Sequence, residues 1–144
     1  MADGNNSLSG GCLCGAVRFS ARPEKLEMDV CHCSMCRKWS GGTFMAVPCV
    51  EVKVVDEGAL SVYPSSDWAE RVFCRTCGSS LFWRLRRRDG PVAVSMQSFD
   101  DPSPFTFGEE IFIDEKPALY AFAGERPRKT GAQVFAEFDA KQAS

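Results

Sequence analysis

The sequence predicts a mainly β fold with little helix, and three observations carry that expectation. Short apolar runs recur about every ten residues, several of them alternate apolar with polar side chains, and a helical period is hard to find. Ala16-Val17-Arg18-Phe19-Ser20 alternates as a half-buried strand does. Further strand candidates are Leu26 to Val30, Thr43 to Val50, Val52 to Val55, Leu60 to Tyr63, Glu70 to Phe73, Ser80 to Leu85, Val92 to Met96 and Glu110 to Ile113. Asp89-Gly90, between Arg84-Leu85-Arg86 and Val92-Ala93-Val94, signals a hairpin, with Pro91 a departure from an ideal turn. The best helical stretch is a short one in the tail, Gln133 to Gln142. Strands so spaced suit several antiparallel sheets, as in a sandwich or barrel-like domain.

The chain has 144 residues, which is one domain's worth. Its hydrophobic fraction of 44% and charged fraction of 25% are those of a globular protein rather than a disordered one. No stretch approaches the roughly 20 apolar residues of a membrane helix. Met1 to Gly11 is polar and lacks the apolar centre of a secretory signal, so a cytoplasmic location is expected. With 17 basic against 19 acidic residues the net charge is -2. Nucleic-acid binders draw affinity from neutralised phosphates, and this balance speaks against such a partner.

One feature of the composition stands apart: eight cysteines and a single histidine. Cys12-Leu13-Cys14 and Cys31-His32-Cys33 set thiols too close to bridge each other without strain. With no export signal, metal thiolates are the better reading than a disulfide framework. Cys74-Arg75-Thr76-Cys77-Gly78 is a zinc knuckle in form, since two intervening residues let both sulfurs reach one tetrahedral ion and Gly78 supplies the positive φ such a turn needs.

Seven cysteines divide naturally as four plus three, although on spacing alone this division stays open. Cys31, Cys33 and Cys36 come from one short loop and can converge on one ion, leaving Cys12 and Cys14 to complete a tetrahedron with Cys74 and Cys77. A closed four-cysteine site is structural, whereas three protein ligands with an open fourth position is how catalytic zinc is built. His32 lies between two ligands, where a side chain commonly points away from the metal, with ligation the alternative. Cys49 sits in an apolar run, Thr43 to Val50, as a buried small hydrophobe or as a fourth ligand closing the second site.

Two basic stretches have two readings each. Arg37-Lys38-Trp39-Ser40-Gly41-Gly42 follows the third thiolate and is either a binding turn, with cations for a carboxylate and Trp39 as a wall, or a solvated turn with Trp39 in the core. Alternation places Arg84, Arg86 and Arg88 on one face of a hairpin, most simply a solvated one.

With these residues assembled, the chain resembles the glutathione-dependent formaldehyde-activating (GFA) family, which also takes in centromere-protein-V-like proteins. The likeness runs from about Gly10 to Tyr120. It rests on Gly10-Gly11-Cys12-Leu13-Cys14-Gly15-Ala16-Val17, Cys31-His32-Cys33-Ser34-Met35-Cys36-Arg37, Phe73-Cys74-Arg75-Thr76-Cys77-Gly78 and Ile111-Phe112-Ile113-Asp114-Glu115-Lys116-Pro117. The resemblance implies a β-tent-type zinc-binding fold, with a structural zinc on Cys12, Cys14, Cys74 and Cys77 and a catalytic one on Cys31, Cys33 and Cys36. On this view residues 1–9 are a flexible N-terminal segment, 10–125 the zinc-binding domain and 126–144 a tail without family motifs. The implied activity is a carbon–sulfur lyase type: addition of glutathione to formaldehyde, giving S-(hydroxymethyl)glutathione.

The chemistry is coherent. Three thiolates on one Zn²⁺ leave a net charge of -1, a poor generator of hydroxide but a site suited to an incoming thiol. A thiol deprotonated there can attack a small carbonyl, with proximity supplying most of the acceleration. Arg37 and Lys38 are candidates for the carboxylates of glutathione. Two other functions fit the same cysteines: a non-catalytic binding module stapled by zinc, or a zinc enzyme acting on another small electrophile or thiol adduct.

Overall fold

A computed structural model describes residues 7–143; residues 1–6 of the expected N-terminal segment lie outside the described residues. The chain forms, in order, β1 (Leu8–Gly11), β2 (Arg18–Pro23), β3 (Glu27–Cys31), α1 (Ser34–Ser40), β4 (Phe44–Val54), β5 (Leu60–Pro64), β6 (Ala69–Cys74), β7 (Ser80–Leu85), β8 (Val92–Ser95), β9 (Thr106–Ile111), β10 (Arg128–Lys129) and α2 (Gly131–Ala143). The mainly β expectation holds. Two compact units can be distinguished: one runs to Glu27 and resumes over Ala46–Thr106, the other comprises Met28–Met45 and the chain from Phe107 onward.

The first unit carries one continuous ladder, β1-β2-β4-β8-β7-β6-β5, in which every pairing is antiparallel. Several separate sheets were the expectation, and the difference traces to β4. Thr43 to Val50 and Val52 to Val55 read as two strands but form a single strand of 11 residues. That length lets it pair with β8 over Ala46–Cys49 and with β2 over Cys49–Val54, joining what would otherwise be two sheets. The core of this unit is aromatic and β-branched. Phe19 meets the edges of Phe82 and Phe99 at centroid separations of 5.2 and 5.7 Å, and Val47, Val72, Leu81 and Val94 are fully buried. Each such side chain contributes about 1.5–3 kcal/mol by leaving water.

The hairpin expected around Asp89-Gly90 exists, with Phe82 opposite Val94 and Trp83 opposite Ala93. Its connection is a wide loop in which Arg88 takes a left-handed φ of 59°. The arginine face there is not simply solvated. Arg84 and Arg88 both reach buried Glu70, at 2.7 and 3.2 Å, and Arg86 donates to the Asp67 carbonyl. Burial opposes ionisation of Glu70, but the two guanidiniums outweigh it and hold the carboxyl below its usual range.

The second unit contains β3, β9 and β10, with β10 lying parallel to β9 so that Arg128 is opposite Glu110. Its tail is docked. α2 opens on a reciprocal cap in which Thr130 Oγ1 accepts from the Gln133 amide at 3.2 Å and Gln133 Oε1 accepts from the Thr130 amide at 2.7 Å. The Gly131 N–H donates to Asp114 Oδ1, Phe135 packs edge-on against Phe112, and Lys129 bridges Glu109 and Glu137. Among the described residues no helix is long and apolar enough to cross a membrane.

Candidate metal centres

Four cysteines meet in the first unit. Cys12 and Cys14 lie in the turn after β1, Cys74 ends β6, and Cys77 follows in the β6–β7 turn, where Gly78 adopts the positive φ expected of it, 79°. Their sulfurs lie within 4.8 Å of one another. Cys12 and Cys14 are 3.6 Å apart and Cys14 and Cys74 3.8 Å. Four sulfurs placed tetrahedrally about 2.3 Å from one ion lie about 3.8 Å from each other, so the spacing fits zinc.

Backbone amides point at these sulfurs as they do toward thiolates. Val17 N–H donates to Cys12, and Thr76 and Cys77 N–H donate to Cys74, at 3.2–3.4 Å. The Ser79 hydroxyl lies 3.2 Å from Cys77 and accepts from the Leu13 amide, linking the two turns. The surroundings of these sulfurs differ in how they favour the thiolate. The Ser79 hydroxyl and amide draw Cys77 down to about 5. An Ala16 backbone contact favours the Cys14 thiolate, but loss of solvent and the sulfurs of Cys12, Cys74 and Cys77 push that thiol up to about 11. A divalent ion would relieve this repulsion for all four.

The second cluster is local. β3 ends on Cys31, Cys33 is the N-cap of α1, and Cys36 lies in its first turn, the three sulfurs again within 4.8 Å of one another. The sequence gives no periodic stripe for α1, which spans only seven residues. It exists because Cys33 Sγ accepts the Cys36 amide at 3.3 Å, a cap made by sulfur instead of oxygen. Gly41, with a φ of 78°, closes the other end by donating to the Arg37 carbonyl. Cys31 and Cys36 are buried and Cys33 half-buried. Contacts with the Cys33 and Cys36 sulfurs, and then burial, push the Cys31 thiol far above the ordinary range. Three sulfurs this close together are a ligand set that a soft divalent cation suits. Among the described residues no fourth histidine, cysteine or carboxylate joins them. Cys49, fully buried and donating to the Val47 carbonyl, joins neither cluster, and burial pushes it up to about 12.

His32 turns away from the sulfurs. Its ring is fully buried, with Nε2 2.8 Å from Glu110 Oε1 and Nδ1 3.2 Å from the Tyr120 hydroxyl. An ionised carboxylate only accepts, so Nε2 carries the proton in this pair. Glu110 Oε2 accepts in turn from Arg126 Nη1 at 2.7 Å and Arg128 Nε at 3.0 Å. Burial raises the Glu110 carboxyl, but His32, Arg126 and Arg128 together hold it below its usual range. Phe107 and Phe122 wall the network, with the Arg126 guanidinium 3.9 Å over the Phe107 ring.

Of the two candidate cations, Arg37 is occupied on one side: its Nε donates to the His32 carbonyl at 3.0 Å and its Nη2 to the Glu115 carbonyl at 3.5 Å. Glu115 Oε1 meanwhile accepts the Ser34 amide at the start of α1. Lys38 is exposed on the last turn. Trp39 is half-buried against Phe44, at a centroid separation of 5.1 Å. Sequence reasoning missed Glu110, Tyr120, Arg126 and Arg128. The available signal was a lone histidine between two ligands, which needs a partner once it is not a ligand itself.

Known proteins resemble this chain at both levels. The family described as glutathione-dependent formaldehyde-activating enzyme matches residues 7–115. A Schizosaccharomyces pombe protein named as an uncharacterized lyase is 35% identical over 126 residues, 87% of this chain and 92% of its own length. A Halomonas elongata protein named "Putative glutathione-dependent formaldehyde-activating enzyme" is 37% identical over 86 residues, 52% of this chain and 54% of its own. A crystal structure of a Rhodobacter sphaeroides protein matches with a TM-score of 0.59 at 22% identity, over 84% of this chain and 99% of that one, a likeness of fold.

Proposed function

The chain belongs to the glutathione-dependent formaldehyde-activating enzyme family, and from that premise we propose that it is a zinc-dependent carbon–sulfur lyase-type enzyme that adds glutathione to formaldehyde or a related small carbonyl. The observation that carries this reading is the cluster of Cys31, Cys33 and Cys36 without a fourth protein donor among the described residues. Zinc held by these three sulfurs would supply a Lewis acid able to lower the pKa of an arriving thiol. Cys12, Cys14, Cys74 and Cys77 would hold the structural ion.

The chain's own residues have separate tasks. Cys31 and Cys36 are buried at the end of β3 and in the first turn of α1 and would hold the ion from the protein side. Lys38 is the proposed cation for a glutathione carboxylate, and Arg37, whose carbonyl partners leave its charge unneutralised, adds to the same field. In the reaction a carbon–sulfur bond forms, the carbonyl π pair moves to oxygen, and the proton lost by the thiol is balanced by one gained at that oxygen from water. The test is formation of S-(hydroxymethyl)glutathione by the zinc-loaded protein. A rate well above that of buffer with glutathione and formaldehyde, lost in Cys36→Ser, is expected; a rate equal to the uncatalysed one overturns the proposal.

A further inference from the structure

The three-sulfur loop is gripped through a residue that is not a ligand. Every polar group of His32 is engaged: its amide donates to the Ile111 carbonyl at 3.0 Å, its carbonyl accepts from Arg37 Nε, and its two ring nitrogens meet Glu110 and Tyr120. His32 is the peptide unit between Cys31 and Cys33, so whatever holds it fixes the separation of those two sulfurs. The holding group is Glu110, 1% exposed, and it is itself held by two guanidiniums whose residues lie beyond the span matched by the family. A carboxylate so buried would be costly unless paired, and here both its oxygens are used.

We propose that Glu110 is a positioning residue for the Cys31–Cys33–Cys36 centre: through His32 it presets the loop in its ligating geometry and slows loss of the ion held there. This rests on reading the cluster as a metal site. The physical reason is preorganisation. A short loop carrying three ligands and no distant fourth releases an ion once one sulfur swings away, and that swing needs the His32 peptide to turn. Rotation would break the Glu110 and Tyr120 hydrogen bonds of a fully buried ring that lies against Tyr120 and Phe122. Groups one step removed from metal ligands typically change metal affinity on the order of 10–100-fold when removed.

Zinc release from the loaded full-length protein to a chromogenic chelator tests this, because the four-cysteine cluster is an internal control. Two phases are expected in the wild type. Glu110→Leu should accelerate only the faster one, on the order of 10–100-fold, while Glu110→Gln, which keeps an acceptor toward His32, falls between. Unchanged release in Glu110→Leu overturns the proposal, as does equal acceleration of both phases, which would mean that Glu110 serves the fold in general. If Glu110→Leu does not fold, Tyr120→Phe removes one hydrogen bond from the same ring. It should quicken the same phase alone, by a smaller factor, and no change there overturns the proposal equally. A wild-type chain that takes up only one zinc sinks the metal reading itself, a result distinct from two zincs and indifferent variants.

Discussion

The two cysteine clusters differ in how far apart in sequence their members lie. In the first unit, Cys14 and Cys74 touch across a separation of 60 residues, so an ion there ties the start of the ladder to the turn between β6 and β7. In the second unit, Cys31, Cys33 and Cys36 lie within one turn and its approach, and an ion there closes no long loop. Loop-closure entropy is therefore recovered at one centre and almost absent at the other. An ion at the distant centre would hold the fold. The local one needs another reason to exist, and its lack of a fourth donor among the described residues is consistent with chemistry.

That contrast breaks first under substitution at the distant centre. Structural zinc contributes an apparent ~10–16 kcal/mol in small zinc-folded peptides, which matches or exceeds the whole stability of a typical domain. Cys74→Ser is therefore expected to abolish the cooperative thermal transition followed by circular dichroism. A folded variant still carrying two zincs would erase the distinction. The counterpart, Cys36→Ala, should leave one zinc per chain by metal analysis and a melting temperature within about 5 °C of the parent. Collapse of that variant would make the second centre a staple like the first.

Acid sharpens the comparison at the level of the two buried carboxylates. Glu70 and Glu110, one in each unit, are both held below the ordinary carboxyl value of 4.5 in spite of burial, Glu70 by two guanidiniums and Glu110 by His32 with two more. Such groups contribute stability that is fully present above their unfolded pKa and is lost as pH falls through the lowered folded value. Urea midpoints should therefore drop as pH is taken below about 4.5. Glu70→Gln and Glu110→Gln should each flatten that drop, and a slope identical to the parent would contradict the assignment. The smallest effect is expected at Lys38. Its substitution by Met should raise KM for glutathione about two- to fivefold, the worth of an exposed ion pair, with kcat unchanged. A fall in kcat instead would place Lys38 nearer the reacting atoms.

Much of this was readable in advance because thiol spacing is a local signal. The gathering of Cys31, Cys33 and Cys36 is a matter of short reach, whereas the joining of Cys12 and Cys14 with Cys74 and Cys77 stays open on spacing and is what the family resemblance implies; the clusters form so. The strand expected over Ser80 to Leu85 likewise forms with those bounds, marked by its apolar run. What escaped was structure made by long-range partners or by unusual chemistry. α1 has no apolar stripe and starts on a sulfur cap, so no periodicity could reveal it. Glu110 is 78 residues from His32 and sits beside Glu109, where a pair of acids reads as a solvated edge. Arg84 and Arg88 look like a surface stripe until Glu70 is known to be buried between them.

The two guanidiniums that clamp Glu110 fall after residue 115, the last residue matched by the family model. A chain trimmed at residue 115 would keep all seven clustered thiols and yet leave the buried Glu110 carboxylate without its guanidiniums, a defect worth about 3–5 kcal/mol. Arg126 and Arg128 therefore belong to the folded unit that carries Glu110, and a shortened chain should keep them.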